Sequence, residues 1–380
     1  MSTQGGFGGF GGFGGFGGFG GFGGFGGFGG FGGFGGFGGF GPYAGYSPDG
    51  LIRNRDGIVG TWRPATSSAS APTPEVPANL ARWEGWVRAT LIDFDLVSHL
   101  HFSADDNGYT LWHNEQDGTA LRRIVRLIAP PAPANAPADP YWGPQLQTVI
   151  SYADLREDRA SEILTQLTPP IAYWCAIANL HPERHRCTVE LLGAALRLAN
   201  FAEMRFKHAL DVRRPATLSP QVQPMILTPG HGSLPSGHAT EAFIVAYVLW
   251  KLMRSKEAGK DRQWLDQLMR QASRVAINRT VAGVHFPVDS AAGQLLGTTL
   301  GEYFVHRAST PAANYSSRQF NCATFPAVND FVWHLVYDAP GDRWQPAPPA
   351  WVGPPISTTE TAAGSPLLNW LWTQAAGEWP

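Results

Sequence analysis

The chain is organised around three polar segments, Lys207-His-Ala-Leu-Asp-Val-Arg-Arg214-Pro215, Pro235-Ser236-Gly237-His238 and Arg279-Thr-Val-Ala-Gly-Val-His285-Phe-Pro-Val-Asp289. Together they contain the groups needed to hold a tetrahedral oxyanion such as phosphate or vanadate. Fixed cations on several sides neutralise such an anion better than one flexible charge does. The sequence therefore predicts one anion site built from all three segments, with three cationic residues that we expect to surround it: Lys207, Arg214 and Arg279.

The second segment stands directly before an apolar run, which predicts a helix beginning at the site. Ser236 fits the N-cap position, and the glycine after it, Gly237, lets backbone N–H groups approach an anion closely. His238 lies at the helix start, where it can exchange a proton with an oxygen of the substrate. Asp289 follows His285 by four residues, a spacing at which the carboxylate can hold one imidazole nitrogen and leave the other free.

These spacings resemble those of the type 2 phosphatidic acid phosphatase and vanadium-dependent haloperoxidase superfamily. The resemblance covers roughly residues 200–300 and rests on Lys-x6-Arg-Pro, Pro-Ser-Gly-His and Arg-x5-His-x3-Asp. One position departs from the pattern, because Asn278 stands where the family usually has serine. The resemblance implies that His238 is the acid–base residue, that His285 is the phosphorylated nucleophile or vanadium ligand, and that Asp289 orients it. It also implies a set of oxyanion-binding residues: Lys207, Arg214, Ser236, Gly237 and Arg279.

The resemblance leaves two activities open. We favour a haloperoxidase with a vanadate cofactor that oxidises halide with hydrogen peroxide. Bromide is favoured because His231 lies seven residues before His238, as a histidine does in bromoperoxidases. The alternative is a phosphatase that needs no cofactor and hydrolyses phosphomonoesters through a phosphohistidine. The spacing of Lys207 and Arg214 is that of phosphatases and chloroperoxidases. A further alternative is a non-catalytic protein that binds itself or a partner through its N-terminal repeat.

Charge and composition limit the kinds of partner and the cellular location that we expect. The formal net charge of the 380 residues is -2 and the basic residues form no stripe, which argues against nucleic acid. An odd number of cysteines, Cys175, Cys187 and Cys322, is typical of reduced thiols, and no segment has the pattern of a signal peptide, so we expect a cytoplasmic protein. The most apolar helix breaks at Lys251, after fewer residues than a membrane span needs, so no membrane span is expected.

Four regions are predicted along the chain. Residues 1–44 contain a Gly-Gly-Phe repeat, a low-complexity tail whose regular phenylalanines suggest self-association, and residues 45–77 are a linker or strap. Residues 78–308 form the helical catalytic domain. Residues 309–380 are an irregular extension rich in Trp and Pro, whose aromatic rings we expect to anchor it on its own domain or on a second subunit of a homo-oligomer.

The fold predicted for the catalytic domain is an all-α helical bundle of the type that this family uses. A first helix begins near residue 78, with Trp83, Phe94 and Val97 among its apolar positions, and another helix is predicted within 109–128. Gly293, Gly297 and Gly301 lie four residues apart and predict a close helix–helix contact. The remaining helices are predicted near 151–167, 170–180, 183–211, 238–253, 261–278 and 287–305.

Overall fold

A computed structural model describes most of the chain beyond the N-terminal repeat. The predicted tail at 1–44 lies outside the described residues. The chain divides into two compact units, one of residues 1–79 with 167–169 and one of residues 80–166 with 170–380. The described residues are 48–63, 73–115, 120–133, 139–168, 170–254, 262–309, 315–353, 355, 357–360 and 362–379.

The described part of the first unit contains helix α1, Pro48–Ile58. This helix falls inside the segment that the sequence predicts as a linker or strap. Its apolar side chains Leu51, Ile52 and Ile58 are each more than half exposed. The helix therefore buries little of its apolar surface within its own unit.

The second unit has a helical core and a small sheet. Its helices agree with those predicted between residues 151 and 305 to within a few residues, except that the first of them is divided into two. The α-helices are α2 (Gly85–Ser98), α3 (Trp142–Ser151), α4 (Arg156–Thr165), α5 (Ile171–Ala178), α6 (Arg186–Leu210), α7 (Pro215–Leu218), α8 (Gly237–Arg254), α9 (Gln263–Val281), α10 (Pro287–Ala308) and α11 (Pro366–Gly377).

Helix α8 lies at the centre of this core, as its uniformly apolar sequence predicts. It packs against α6, α9 and α10, and its side chains from Ala239 to Trp250 are buried. The closest approach is to α10, where Gly293 faces Ala239 and Gly301 faces Tyr247. A Cβ atom at position 293 would lie 2.7 Å from the Cβ of Ala239, so the glycines allow the two helices to touch backbone to backbone. This contact brings the first turns of α8 and α10 together.

The prediction of an all-α bundle holds for this core but misses a sheet. Residues 109–128 are predicted as a helix, but the described residues there form two antiparallel strands, β2 (Gly108–Asn114) and β3 (Leu121–Ile128), and β3 also pairs in parallel with a later strand, β4 (Tyr315–Asn321). The five-stranded sheet has the order β1-β2-β3-β4-β7, and a separate antiparallel pair joins β5 to β6. The strands are β1 (Leu100–Ala104), β2 (Gly108–Asn114), β3 (Leu121–Ile128), β4 (Tyr315–Asn321), β5 (Tyr337–Asp338), β6 (Arg343–Trp344) and β7 (Ser357–Glu360).

The chain after residue 308 is also more regular than predicted, since it contributes β4 to β7 and α11. Its aromatic side chains anchor it on its own unit. The indole N–H of Trp379 donates to Thr188 Oγ1 over 3.0 Å at the start of α6, and the Trp344 indole donates to Glu302 Oε1 over 2.5 Å on α10. The carboxylate of Glu378 accepts hydrogen bonds from the first backbone N–H groups of α6.

The helix predicted from residue 78 corresponds to α2, but it begins at Gly85, after a 3-10 helix at Pro77–Arg82, and its buried face is not the predicted one. Ala89, Ile92 and Leu96 are buried, whereas Phe94 is 75% exposed and Val97 is 37% exposed. Within the described residues, no helix combines the length and apolar character that crossing a bilayer requires.

Candidate functional site

The site lies where several helices begin or end. Lys207 is in the last turn of α6, Arg214 precedes α7, and Gly237 opens α8. Arg279 is in the last turn of α9, and Asp289 is in the first turn of α10. Helix ends leave backbone groups unpaired, and α8 presents its N–H groups here. The structure therefore brings the three predicted segments to one place.

His285 is held by two opposite contacts. Its Nδ1 lies 3.0 Å from Asp289 Oδ2, and its Nε2 lies 2.9 Å from Arg214 Nη1. Because a guanidinium can only donate, Nε2 is the acceptor and the imidazole proton is on Nδ1. Burial, together with nearby Arg214 and Lys207, lowers the pKa of His285 well below its usual value. The imidazole is therefore neutral, with a lone pair at Nε2 that faces the cations.

Asp289 does more than orient His285. Its Oδ2 also accepts from Ser233 Oγ over 2.8 Å and from the Phe286 backbone N–H over 2.9 Å. Burial raises the pKa of Asp289 to about 6 although these hydrogen bonds oppose the shift. Above that pH the carboxylate is ionised and fixes the tautomer of His285 while capping the first turn of α10.

Arg214 connects the imidazole to the loop that precedes α8. Its Nη1 also donates to Val284 O over 2.8 Å, and its Nε donates to His231 O over 3.0 Å. Its Nη2 lies 3.1 Å from His231 Nδ1. The side chain is 4% exposed, so a positive charge is fixed against Nε2 of His285.

Lys207 is buried and serves the same loop. Its Nζ donates to Ser233 O over 3.2 Å and also contacts Pro235 O. Burial lowers its pKa to about 8, with Glu203 acting in the opposite direction. At neutral pH the ammonium is charged, and it holds the backbone immediately before Ser236 and Gly237.

Arg279 is the cation with unused hydrogen-bonding capacity. Only its Nη2 has partners, Gln166 Oε1 at 3.2 Å and Ile163 O at 3.3 Å. Its Nε and Nη1 are buried and have no partner among the described residues. Leaving a buried charged donor unpaired costs more than about 1–3 kcal/mol, which an acceptor bound beside it would recover. The guanidinium is thus suited to an oxyanion.

His238 is positioned by a backbone carbonyl. Its Nε2 lies 2.8 Å from Gln166 O, so Nε2 carries the proton and Nδ1 is left as the acid–base atom. Burial, followed by the charge of Arg279, lowers the pKa of His238 to about 3. The ring is therefore neutral in the protein alone and ready to accept a proton.

Ser236 and Gly237 occupy the predicted place at the start of α8. Ser236 Oγ accepts from the Ala239 backbone N–H over 3.4 Å, as an N-cap does. The Ser236 N–H donates to Asp289 O over 2.9 Å, which ties α8 to the first turn of α10. A Cβ atom at Gly237 would lie 2.5 Å from Glu203 Oε1, so any side chain there would require the carboxyl group of Glu203 to shift.

Two predicted positions behave differently from the rest. Asn278, the departure from the family pattern, does not join the cations; its Nδ2 donates to Gln166 Oε1 over 3.0 Å. His231, the halide-site candidate, contacts Arg214 and is exposed on its other side; partial desolvation, followed by the charge of Lys207, lowers its pKa to about 4.

Gln166 is a residue of the site that sequence reasoning missed. Its side-chain oxygen joins Asn278 to Arg279, while its backbone oxygen holds His238. It lies just after α4, and no motif marks it. A fully buried amide that contacts two functional side chains is a positioning residue. Ser233, which donates to Asp289, is a second such residue.

We expect Gln166→Leu to lower the affinity for inorganic phosphate about tenfold, because Nη2 of Arg279 loses one of its two acceptors and the guanidinium is less firmly oriented. Phosphate titration by calorimetry measures this. Gln147→Leu, at an exposed position on α3, is the matched control. A folded Gln166→Leu protein with unchanged phosphate affinity would contradict the positioning role.

Comparison with known proteins gives a family match for the part of the chain that carries the site. Residues 189–310 match the model of the PAP2 superfamily. No curated protein matches the chain significantly. Among solved structures, a bacterial vanadium-dependent iodoperoxidase is similar at 19% sequence identity and a TM-score of 0.37; the match covers 47% of this chain and 52% of that one. The chain thus spans about half the length of that structure.

Proposed function

Residues 189–310 belong to the PAP2 superfamily, and we propose that this protein is an enzyme that binds a tetrahedral oxyanion and bonds its central atom to His285. Members of this superfamily are phosphatases or haloperoxidases, and both activities use such a bond. Lys207, Arg214 and Arg279 are the charges that neutralise the anion, and the first N–H groups of α8 assist them.

One observation carries the proposal: the buried guanidinium of Arg279 has two donors without partners, in the same cluster as a histidine whose lone pair is exposed to cations. Buried donors in folded proteins are nearly always paired, so two nitrogens of one buried guanidinium that are unpaired within the described part of the chain indicate a place for an acceptor. An anion that accepts from Arg279 and from Arg214 would release His285 Nε2 from its hydrogen bond and free the lone pair.

Of the two activities, we favour the haloperoxidase, with vanadate held by His285 Nε2 and surrounded by Lys207, Arg214 and Arg279. The fit is supported by the unpaired donors of Arg279. Bound vanadate would supply the oxidation of halide by hydrogen peroxide, while the protein supplies charge and position. In this reaction His238, whose Nδ1 carries no proton, would accept the proton that hydrogen peroxide loses once a bound anion has raised its pKa. His231, in contact with Arg214, is the residue that we assign to halide preference.

The second candidate is phosphomonoester hydrolysis, and the His285–Asp289 pair favours it. Asp289 keeps the proton on Nδ1, so that Nε2 can attack phosphorus. The bond from phosphorus to the ester oxygen breaks as the phosphohistidine forms, and His238 gives a proton to the leaving alkoxide. Water then attacks the phosphohistidine and releases phosphate. In this reaction His238 must start protonated, which requires the charge of the bound phosphate to raise its pKa.

A paired assay decides between these activities. We expect the purified protein to brominate a phenol dye with hydrogen peroxide and bromide only after addition of orthovanadate. Release of p-nitrophenol from its phosphate by the vanadate-free protein, inhibited by vanadate, would instead select the phosphatase. If the protein showed neither bromination nor release of p-nitrophenol, the proposal that it is such an enzyme would be contradicted.

His231→Ala tests the bromide assignment. We expect it to lower the rate of bromination about tenfold and to change phosphate binding by much less, because the charge of Arg214 remains in place. His101→Ala, at an exposed position in β1, is the matched control. Equal losses in bromination and in phosphate binding would show that His231 acts only through Arg214.

A further inference from the structure

Two carboxyl groups lie beside the site without a role in either reaction. Glu203 is one helical turn before Lys207 on α6, and Glu241 is one turn after Gly237 on α8. Their exposed fractions are only 2% and 6%. Buried carboxylates are normally paired with cations or hydrogen-bond donors. Glu203 Oε2, however, has no hydrogen-bond partner among the described residues.

The carboxyl group of Glu203 lies against Gly237, at the start of α8. A Cβ atom at Gly237 would lie 2.5 Å from Glu203 Oε1 and 3.1 Å from Oε2. The carboxyl group therefore fills the space that any side chain at position 237 would occupy. A negative charge at this place would repel an oxyanion, whereas a neutral carboxylic acid would not.

The charged groups that face this pair come from every helix around it. The charges of Glu241, Lys207 and Arg214 act on Glu203, and those of Lys207 and Arg279 act on Glu241. Burial raises the pKa of Glu203 well above its usual value, and the charge of Glu241 adds to this effect. Burial likewise raises the pKa of Glu241 to about 7. The charges of three cations thus act on the two carboxyl groups, and repulsion between two carboxylates opposes the ionisation of both at once.

We propose that Glu203 and Glu241 are a proton-holding carboxyl pair that takes up a proton from solvent when an oxyanion binds at the neighbouring cations. The proton adds to a carboxylate oxygen as an O–H bond, so that the charge brought in by the anion is partly compensated. The pair positions charge and does not touch the reacting atoms. This inference rests on the proposed oxyanion site, but it holds for either activity of that site.

The pH dependence of the anion affinity follows from the coupling between anion binding and proton binding. A bound anion stabilises the protonated pair and raises its pKa above the value in the free protein. At a pH well below neutrality the pair is protonated in both states and takes up nothing. As the pH rises through the free pKa, binding must bring a proton, and the affinity then falls by up to about tenfold per pH unit for each proton taken up.

Calorimetric titration with sulfate measures this uptake, because sulfate is a tetrahedral dianion that does not itself titrate near neutrality. Titrations in two buffers with different protonation enthalpies give the number of protons bound per anion. At pH 7, where Lys207 is still mostly charged, we expect the unaltered protein to take up about 0.5 proton or more per sulfate.

Isosteric variants assign the proton. Glu203→Gln should reduce the uptake at pH 7 to less than about half, because the like charge that holds the proton on Glu241 is lost. Glu241→Gln should have the same effect and serves as an independent variant if one of the two folds poorly. Glu183→Gln, an exposed carboxylate just before α6, is the control and should match the unaltered protein.

Three results would overturn the proposal. One is sulfate binding without proton uptake by the unaltered protein at pH 7, and another is the same uptake in both Gln variants as in the unaltered protein. The third is failure of the unaltered protein to bind sulfate, phosphate or vanadate. That result would contradict the oxyanion site itself, and with it every inference that depends on the site.

Discussion

His285→Ala should abolish turnover in whichever of the two assays the unaltered protein is active, by at least about a thousandfold. The reason is that Nε2 is the atom proposed to bond to phosphorus or vanadium, and no other group can replace a covalent partner. The three cations stay in place, so phosphate should still bind to within about tenfold of its original affinity. Loss of turnover with retained binding is the signature of a missing nucleophile or ligand.

The measurement combines initial rates with phosphate titration and a thermal unfolding curve for each variant. His101→Ala controls for the removal of a histidine from the surface. Substantial turnover by His285→Ala would mean that the reacting atom bonds elsewhere. Loss of phosphate binding together with turnover would assign His285 to the structure of the pocket, not to the reaction.

Arg279→Lys should weaken phosphate binding and turnover by about a hundredfold, although the charge is conserved. An ammonium cannot replace the planar guanidinium, which reaches Gln166 and Ile163 through Nη2 and keeps Nε and Nη1 for a ligand. A loss of this size, about 2.7 kcal/mol, is in the range found when one donor to a developing oxyanion is removed.

Arg270→Lys is the matched control for that substitution. Arg270 lies on the same helix, pairs with Asp266 at the surface, and is 64% exposed. Its replacement should leave phosphate binding unchanged. If Arg279→Lys bound phosphate within about threefold of the unaltered protein, the unpaired nitrogens of Arg279 would not be anion donors.

Much of the site could be predicted because each functional residue type is tied to a local signal. Ser236 and Gly237 stand before an apolar run, and Asp289 follows His285 at a spacing that permits their contact. Helices α6, α8, α9 and α10 could be predicted as well, because their sequences are long and either periodic or uniformly apolar.

The sheet could not be predicted in the same way. Residues 121–128 contain five apolar residues at mixed spacings, which fit a short buried helix as well as a strand. What decides in favour of β3 is its pairing with β2 and, in parallel, with β4, which lies almost 200 residues later in the chain. Such non-local pairing has no signature within a sequence window.

The residues that support the site were missed for a related reason. Gln166 acts partly through its backbone oxygen, and every residue type presents the same carbonyl. Glu203 and Glu241 had a usable signal, since each lies one helical turn from a predicted site residue. Reading the helical neighbours of Lys207 and Gly237 would have found both carboxyl groups.

The most direct test is a crystal structure of the protein grown with orthovanadate. The anion should lie at the start of α8, with vanadium bonded to Nε2 of His285 and with oxygens accepting hydrogen bonds from Nε or Nη1 of Arg279 and from Arg214. Vanadate bound elsewhere, or a pocket in which Arg214 still donates to Nε2 of His285 at saturating vanadate, would contradict the oxyanion site.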